Sequence, residues 1–182
     1  PTNLTFEQAA AVPVSAVTAW QGLTDLGRIQ PGQKVLINGA SGGVGTFAVQ
    51  IARTFGADVT GVCSTANGEM VKSLGAGQVI DYTREDFTGS GETYDVIIDV
   101  AGKSSFSRTV RVLRPNGRYI LGNPSLSGMI RGRWTSMVSD KKVIFEPARY
   151  RAEDYTFLKG LIESGKIKSV IDRRYPLEQT AE

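Results

Sequence analysis

The sequence predicts a single α/β domain in which helices cover both faces of a six-stranded, doubly wound parallel sheet, giving three layers. Two observations favour this class. Short, continuously apolar segments alternate with segments of helical periodicity, and a strand of a parallel sheet covered on both faces is apolar along its whole length. The chain has 182 residues, 41% of them hydrophobic, which is enough to bury one core and too little for two ordinary domains.

The first half of the chain predicts three strands separated by helices. An Ala-rich segment over residues 4–26 is mostly helical and is interrupted at Pro13. A helix follows the first strand and ends at Gly56, and a shorter helix over Glu69–Leu74 ends at Gly75. The first of these two helices has one apolar face, formed by Val44, Phe47, Ala48, Ile51, Ala52 and Phe55. The apolar runs predicted as strands are Lys34–Asn38, Asp58–Cys63 and Gln78–Asp81.

The second half predicts three more strands. A helix over Phe106–Leu113 is stopped by the turn residues 115–117, and a long helix covers Ala152–Glu163. Residues 123–140 give no clear pattern. The predicted strands are Tyr94–Asp99, Arg118–Leu121 and Lys142–Phe145. The last of them is expected at an edge of the sheet, where an apolar strand favours pairing with a second copy of the chain.

The composition excludes several kinds of site. The chain has no histidine and one cysteine, so it has no histidine base, no Ser-His-Asp triad and no Cys/His zinc site. One thiol cannot form a disulfide within the chain, which favours a reducing compartment such as the cytoplasm. A net charge of +3 is too small for a nucleic-acid footprint. The apolar runs are too short to span a membrane, and no charged-then-apolar signal segment opens the chain.

A glycine-rich turn, Gly39-Ala-Ser-Gly-Gly-Val-Gly45, joins the first strand to the first amphipathic helix. In this position it predicts binding of a dinucleotide pyrophosphate at the N-terminus of the helix. Gly42 allows close approach of the phosphates, Gly45 allows the helix to pack on the strand, and Gly39 supplies the turn because Ala40 replaces the usual first glycine. A Walker-type loop fits poorly because no Lys-Ser/Thr follows. A purely structural glycine turn remains the alternative.

The end of the second strand is expected to select the nucleotide. An acid there would bind the ribose hydroxyls of NAD. The sequence has no acid between Asp58 and Glu69, and Ser64 and Thr65 offer hydroxyl donors. This favours NADPH over NADH, although the same hydroxyls are also typical of a plain polar turn that caps the next helix.

Six motifs occur together in one order along the chain. They are Glu7-Gln-Ala-Ala-Ala-Val-Pro13, Thr18-Ala-Trp20, Pro31-Gly-Gln-Lys-Val35, the glycine turn, Leu74-Gly-Ala76 and Ile80-Asp-Tyr82. This ordered set resembles the cofactor-binding Rossmann domain of the medium-chain dehydrogenase/reductase superfamily. The form of the glycine turn is most similar to the NADPH:quinone oxidoreductase branch, which is also described as zinc-type alcohol dehydrogenase. The resemblance covers essentially the whole chain.

The resemblance implies that residues 1–182 are one NAD(P)-binding domain cut from a longer oxidoreductase. An N-terminal GroES-like domain would carry most of the substrate pocket and, in zinc-using members, the metal ligands. The last residues, Tyr175–Glu182, look like a helix just beginning at Pro176, which agrees with an excised piece. The intact protein would transfer hydride from NADPH to a quinone, enone or carbonyl, and this domain alone would bind cofactor without catalysis.

The resemblance also implies a set of cofactor contacts. Thr18 would lie beside the nicotinamide and its phosphates, and Ser41 to Gly45 would hold the pyrophosphate. Ser64 and Thr65 would meet the adenosine ribose phosphate, and Tyr82 would flank that phosphate or the adenine ribose. One position departs from close relatives, since Ala66 stands where they often have a basic residue, and Lys72 is too far along to replace it. Ala101 and Gly102 would line the adenosine side of the cleft, and Leu121, Gly122 and Asn123 would approach the nicotinamide. The other predicted cofactor contacts are Thr18, Ala40, Ser41, Gly42, Gly43, Val44, Gly45, Ser64, Thr65 and Tyr82.

Simpler interpretations stand beside these. Thr18 could bond back within its own helix, Tyr82 could be an ordinary half-buried aromatic, and Cys63 is expected in the core. Asp95 and Asp99 bracket one strand and are interpreted as structural, so the residues give no catalytic acid or base and no metal ligand set.

A non-catalytic NADPH-binding module is the main alternative function. A methyltransferase using S-adenosylmethionine ranks lower, because the second strand lacks its acid. Members of the family often form dimers through the edge strand, and a homodimer is predicted.

Overall fold

The computed structural model describes residues 1–179 and contains the predicted six-stranded sheet. All strands run parallel in the order β3-β2-β1-β4-β5-β6, so the chain winds outwards from β1 in both directions. The prediction of a doubly wound parallel sheet is confirmed. The strands are β1 Lys34–Asn38, β2 Asp58–Cys63, β3 Gln78–Asp81, β4 Tyr94–Asp99, β5 Leu113–Leu121 and β6 Lys142–Ile144.

Within residues 1–179, seven α-helices connect and cover the strands. The long α2 begins at Pro13 and continues into a π-helical turn over Gly22–Leu26. The amphipathic α3 begins directly after the glycine turn, as predicted, and buries eight of its twelve residues. The helices are α1 Phe6–Ala10, α2 Pro13–Gln21, α3 Gly43–Thr54, α4 Gly68–Ser73, α5 Phe106–Arg111, α6 Leu126–Val138 and α7 Ala152–Glu163.

The core lies on both faces of the sheet, as the uniform apolar strands require. In β1, Val35 and Ile37 belong to the cluster under α2, α3 and α7, whereas Leu36 between them belongs to the cluster on the opposite face. All three side chains are fully buried. Burial of alternate residues on both faces explains why this strand shows no alternation between polar and apolar residues.

Three sequence predictions need correction. The helix predicted over Phe106–Leu113 ends at Arg111, because the chain enters β5 at Leu113 and passes through the turn residues 115–117 with a register shift against β4. The strand predicted to Phe145 ends at Ile144. The segment that gave no pattern contains α6, a helix of 13 residues.

The remaining local predictions concern the chain end and the membrane. A short 3₁₀ turn covers Leu177–Gln179, and the rest of the helix predicted there lies outside the described residues. Among residues 1–179, none of the helices combines the length and apolar character that crossing a bilayer requires.

Candidate functional site

The glycine turn lies at the carboxyl edge of the sheet, where the chain leaves β1 for α3. Gly39 has a positive φ of 91°, and its N–H and that of Ala40 donate to the Val62 carbonyl of β2 at 3.1 and 3.0 Å. The prediction that Gly39 forms the turn in place of the usual first glycine is confirmed. A side chain at Gly39 would also bring its Cβ within 2.9 Å of Val100.

Packing within the protein requires a glycine at Gly45 but not at Gly42. A Cβ at Gly45 would lie 2.0 Å from the Gly39 carbonyl oxygen, so the packing of α3 on the turn excludes any side chain. A Cβ at Gly42 would meet only the same oxygen, at 3.5 Å, and its φ of −79° suits any residue. Protein packing therefore explains Gly45 but leaves space above Gly42.

The N-terminus of α3 faces the same space. Gly42 is the N-cap and supplies no side-chain acceptor, so the first backbone N–H groups of this twelve-residue helix have no capping oxygen. Ser41 and Val44 are half-buried and Gly43 is exposed beside them, while the Ala40 side chain is fully buried. This set of N–H donors and the helix dipole favour an anion such as a phosphate.

A polar cluster lies at the ends of β2 and β3. The hydroxyl of Thr65 donates to the Asp81 carboxylate, which also accepts from the N–H and hydroxyl of Thr83 at 2.9 and 2.7 Å. The hydrogen bonds from Thr65 and Thr83 lower the pKa of Asp81. Arg84 Nε lies 3.5 Å from the same carboxylate, and its side chain is largely exposed.

This cluster corrects one step of the sequence argument. No acid follows β2 in the sequence, but the pairing of Cys63 with Asp81 in the register of β2 and β3 brings a carboxylate beside Thr65. The sequence-based preference for NADPH therefore cannot rest on a missing acid, because Asp81 supplies a carboxylate at this place. Arg84 supplies, at the same place, the cation that was missing at Ala66.

Ser64 and Tyr82 complete this edge. The Ser64 hydroxyl accepts from the Asn67 side chain at 3.1 Å, so the interpretation as a polar turn describes part of its role. Tyr82 is 64% exposed, which excludes the half-buried aromatic that was the alternative interpretation. Tyr82 is exposed, and the guanidinium of Arg84, two residues later, is largely exposed although it pairs with Asp81, so this edge can receive a base or a ribose phosphate.

A cleft of about 440 Å³ opens on the other side of the glycine turn, towards β4 and β5. Its floor is apolar and includes Ile98, Val100 and Ile120. Its walls come from elements far apart in sequence: Thr18 and Gln21 of α2, Val44 of α3, Leu121 at the end of β5 with Gly122 after it, and residues 146–149 before α7.

Thr18 lies in the wall of this cleft and is half-buried. Its hydroxyl makes no hydrogen bond with the residues the structure describes, so the alternative that it bonds back within its helix is not observed. The hydroxyl of Thr24, one and a half turns later, does make such a bond, to the Trp20 carbonyl at 2.8 Å. Thr18 is thus available to a ligand in the cleft.

The carboxylates in the cleft wall are paired. Asp25 accepts from Arg151 Nη2 at 2.6 Å, and Glu146 lies 3.6 Å from Arg149 Nη2. Within the described part of the chain, no lining carboxylate is therefore free to act as a general acid or base.

Asp99 organises the loops at this edge. Its buried carboxylate accepts from the Asn38 amide at 2.9 Å, the Gly102 N–H at 2.9 Å, the Ser104 hydroxyl and the Tyr119 phenol at 3.0 Å. Burial, and then the charge of Asp99, raise the pKa of Tyr119. Because four groups of the protein itself donate hydrogen bonds to its carboxylate, Asp99 has a structural role, as interpreted from the sequence.

The loops after β4 and β5 meet beside Asp99. Ala101 lies against Gly39 of the turn, and a Cβ at Gly102 would approach the Asn123 carbonyl to 3.6 Å. Gly102 therefore lies beside the loop after β5. Contacts of these residues with a ligand stay predictions.

The other residues interpreted as structural agree with that assignment. Cys63 is buried, and burial raises the pKa of its thiol. Asp95 accepts from the Lys34 N–H at 2.8 Å and from Arg114 at 2.7 Å, far from the cleft at the amino end of β4.

The sequence argument missed Asp81, Arg84, Gln21 and the wall at residues 146–149. Asp81 and Arg84 could have been found by pairing the predicted ends of β2 and β3, since parallel strands end at one edge of a sheet. Gln21 contacts the wall across 128 residues, and no local pattern indicates such a contact.

Comparison with known proteins adds three relationships. A family model described as zinc-binding dehydrogenase matches residues 74–182. A chloroplast envelope quinone oxidoreductase homolog from Arabidopsis thaliana is 36% identical over 98% of this chain and 57% of its own length. A mitochondrial NAD(P)H oxidoreductase, RTN4IP1, from Mus musculus is 34% identical over all of this chain and 52% of its own length.

Among solved structures, the quinone oxidoreductase from Coxiella burnetii superposes with a TM-score of 0.83 at 28% sequence identity. The match covers 93% of this chain and 53% of that protein. The chain thus spans about half the length of the relatives it matches.

Proposed function

Because the chain belongs to the zinc-binding dehydrogenase family, within the medium-chain dehydrogenase/reductase superfamily, we propose that it is the NADPH-binding domain of an oxidoreductase. The full-length protein would transfer hydride from NADPH to a quinone, enone or carbonyl substrate. An N-terminal GroES-like domain would complete the substrate pocket, and residues 1–182 alone would bind cofactor without turnover.

The observation that carries this proposal is the contrast between Gly45 and Gly42. Packing alone accounts for Gly45, whereas the open space above Gly42 and the uncapped N-terminus of α3 are what a pyrophosphate needs. A purely structural turn gives no reason for this space. The two halves of the cofactor would then extend in opposite directions from the turn.

The adenosine half would lie at the ends of β2 and β3. Preference for NADPH is supported by Arg84, whose exposed guanidinium can pair with a ribose phosphate. Asp81 would oppose that phosphate, but Thr65, Thr83 and Arg84 already engage its carboxylate. Ser64 and Tyr82 would complete this end.

The nicotinamide half would enter the cleft beside Thr18, Leu121 and Gly122. When bound, the dihydronicotinamide supplies the hydride. The chain's own contribution is to bind and orient: the apolar floor receives a flat ring, and the unpaired Thr18 hydroxyl can hold a polar substituent. Since the lining carboxylates are paired with arginines, we assign no proton transfer to this domain.

The description of the family names zinc, and the described residues do not fit a zinc site. Cys63 is buried without a second thiol, the sequence has no histidine, and residues 1–179 contain no cluster of three or more His, Cys, Asp or Glu side chains arranged to hold a metal. We therefore assign no step in this domain to a metal ion.

We also propose that the protein forms a homodimer through the edge strand at residues 142–145. The supporting observation is the exposed apolar face of α6, which packs beside β6 through Gly132 and leaves Leu126, Ile130 and Trp134 in solvent. An exposed patch next to an unpaired strand edge is typical of a protein interface.

A cytoplasmic location stays a proposal. Fractionation of cells that express the full-length protein tests it.

Thermal melting of the chain with NADPH, NADH and S-adenosylmethionine tests the cofactor. A ligand at 100 times its Kd stabilises by about 2.7 kcal/mol, a shift of roughly 5–10 °C for a domain of this size. We expect the largest shift with NADPH. A shift with NADH alone would overturn the NADPH preference, and a shift with S-adenosylmethionine alone would overturn the oxidoreductase assignment. A pocket that binds NADPH without any reductase activity in the full-length protein would favour a non-catalytic module.

A further inference from the structure

Gln21 makes an unusual contact with the wall of the cleft. Its side-chain amide, 6% exposed, donates from Nε2 to the Arg149 carbonyl at 2.6 Å and accepts at Oε1 from the Arg149 N–H at 2.9 Å. The amide thus satisfies both backbone groups of one residue, as a neighbouring strand would.

The backbone of this wall makes few other hydrogen bonds. Residues 146–149 line the cleft in an irregular segment between β6 and α7. In the described part of the chain, the two bonds to Gln21 are the only hydrogen bonds made by the backbone of residues 146–150. Pro147 has no N–H to donate. Ala148 packs against the hydrophobic core, but the hydrogen bonding of the wall's backbone depends on a single side chain of α2.

A second group fixes the orientation of the Gln21 amide. Nε2 also donates to the buried Asp154 carboxylate at 2.6 Å, and Asp154 is itself held by Trp20 Nε1 at 2.9 Å and Arg151 Nε at 2.9 Å. Both amide hydrogens and the amide oxygen of Gln21 are thus used. A flipped amide would place its oxygen against the carboxylate, so one orientation is strongly preferred.

We propose that Gln21 is a positioning residue that holds the wall at residues 146–149 against Thr18 and Leu121. By fixing the wall, it determines how tightly the cleft binds the nicotinamide half of the cofactor. The inference rests on the proposed function, which puts the nicotinamide in this cleft and the adenosine at the ends of β2 and β3. Loss of Gln21 should weaken binding of the whole dinucleotide and leave its adenosine half unaffected.

The chain contains a matched control. Gln50 of α3 is 5% exposed and makes the same pair of bonds, to the carbonyl and N–H of Lys168 at 3.0 and 2.9 Å. Its Nε2 also bonds to the Thr46 carbonyl at 2.9 Å. Residues 166–168 do not line the cleft. Gln50→Met should therefore cost similar stability without changing the cleft.

The test compares Gln21→Met and Gln50→Met with the unchanged chain in two measurements. Hydrogen–deuterium exchange of the ligand-free proteins should accelerate at residues 146–150 in Gln21→Met only. The Kd for NADPH should rise about tenfold in Gln21→Met, while the Kd for 2′,5′-ADP, the adenosine half, stays within about twofold. Both Kd values should stay within about twofold in Gln50→Met.

A second variant guards against misfolding of the first. Gln21→Glu keeps the shape and the acceptor for the Arg149 N–H, but at pH 8 it faces Asp154 with a like charge. Protonation at lower pH restores one donor, so the ratio of the NADPH Kd to the 2′,5′-ADP Kd should fall towards that of the unchanged chain between pH 8 and pH 6. A purely structural role would not move this ratio with pH.

A failure of the role of Gln21 can be distinguished from a failure of the proposed function. An unchanged Kd ratio in Gln21→Met, unchanged exchange at residues 146–150, or an equal loss in Gln50→Met would overturn the role of Gln21 alone. Failure of the unchanged chain to bind NADPH or 2′,5′-ADP would overturn the proposed function and this role with it.

Discussion

The phenol of Tyr119 donates a hydrogen bond of 3.0 Å to the buried carboxylate of Asp99. Through Asp99 this bond joins the end of β5 to Asn38 of β1 and to Gly102 in the loop after β4. These three strand ends border the glycine turn and the cleft proposed for the nicotinamide half of the cofactor. The stability of this edge of the sheet therefore depends on a polar network rather than on apolar packing alone.

Removing the Tyr119 hydroxyl should destabilise the domain. Tyr119→Phe leaves the buried Asp99 charge with one donor fewer, which should lower the free energy of unfolding by about 1–3 kcal/mol. Tyr94 is an equally buried tyrosine whose hydroxyl, near Thr60 and Ser90, makes no hydrogen bond of ordinary geometry with the residues the structure describes. Tyr94→Phe should therefore be neutral or slightly stabilising. Urea denaturation at pH 7 measures both, and equal losses would contradict the role of the network.

Tyr119 should also make stability fall at alkaline pH. Burial and the Asp99 charge raise its pKa above the ordinary value of 10.0, so the folded chain keeps a proton that the unfolded chain loses near pH 10. Above that pH the unfolded state binds fewer protons than the folded state, and the free energy of unfolding decreases as pH rises. Tyr119→Phe removes this contribution, so its stability curve between pH 9 and pH 11 should be flatter. Parallel curves for the two proteins would exclude the effect.

Two glycines of the turn should separate folding from binding. Gly45→Ala forces a Cβ to within 2.0 Å of the Gly39 carbonyl oxygen and should cost about 3 kcal/mol or more. Gly42→Ala meets nothing closer than 3.5 Å, so its stability should change by less than about 1 kcal/mol while NADPH binding falls at least tenfold. Thermal melting and titration with NADPH give both quantities. A Gly42→Ala protein that binds NADPH normally would refute a phosphate site above the turn.

Arg84 should decide between the two nicotinamide cofactors. Arg84→Gln removes the guanidinium beside Asp81, so the Kd for NADPH should rise about tenfold, the loss expected for one charge-assisted contact, while the Kd for NADH stays within about twofold. Lys72 is the matched control, because its ammonium pairs with Glu69 at 3.2 Å on the outer surface of α4. Lys72→Gln should leave the ratio of the two Kd values unchanged. An unchanged ratio in Arg84→Gln would remove the structural support for NADPH.

Strands buried on both faces were predictable from the sequence, whereas α6 was not. The run Lys34–Asn38 is apolar because both of its faces are covered, and its predicted limits agree with β1. In α6 the pattern is reversed. Gly132 faces the sheet edge at Val143, while Ile130 and Trp134 face solvent. A helix that buries a glycine and exposes its apolar residues gives no usual amphipathic signal.

The same contrast applies to the site. The glycine turn was predictable because its residues are adjacent and lie between a strand and a helix. Thr65 and Asp81 are 16 residues apart, and their contact depends on the register of β2 and β3. Gln21 and Arg149 are 128 residues apart and meet through a side-chain amide that follows no periodicity. Local chemistry was therefore predictable, but contacts between distant segments needed the fold.

The exposed face of α6 should control self-association. If a second copy covers this face together with β6, then Trp134→Glu places a charge in a desolvated apolar interface and should raise the dimer Kd at least tenfold. Phe6 is 94% exposed on α1 and is absent from both hydrophobic core clusters, so Phe6→Glu should leave the dimer Kd unchanged. Sedimentation equilibrium over a range of protein concentrations measures both variants against the unchanged chain. Two results would contradict the interface: a monomeric unchanged chain at high concentration, or a Trp134→Glu protein that dimerises as tightly as Phe6→Glu. The comparison is informative because both substitutions replace an exposed aromatic ring with a carboxylate, so a general effect of charge would appear in both.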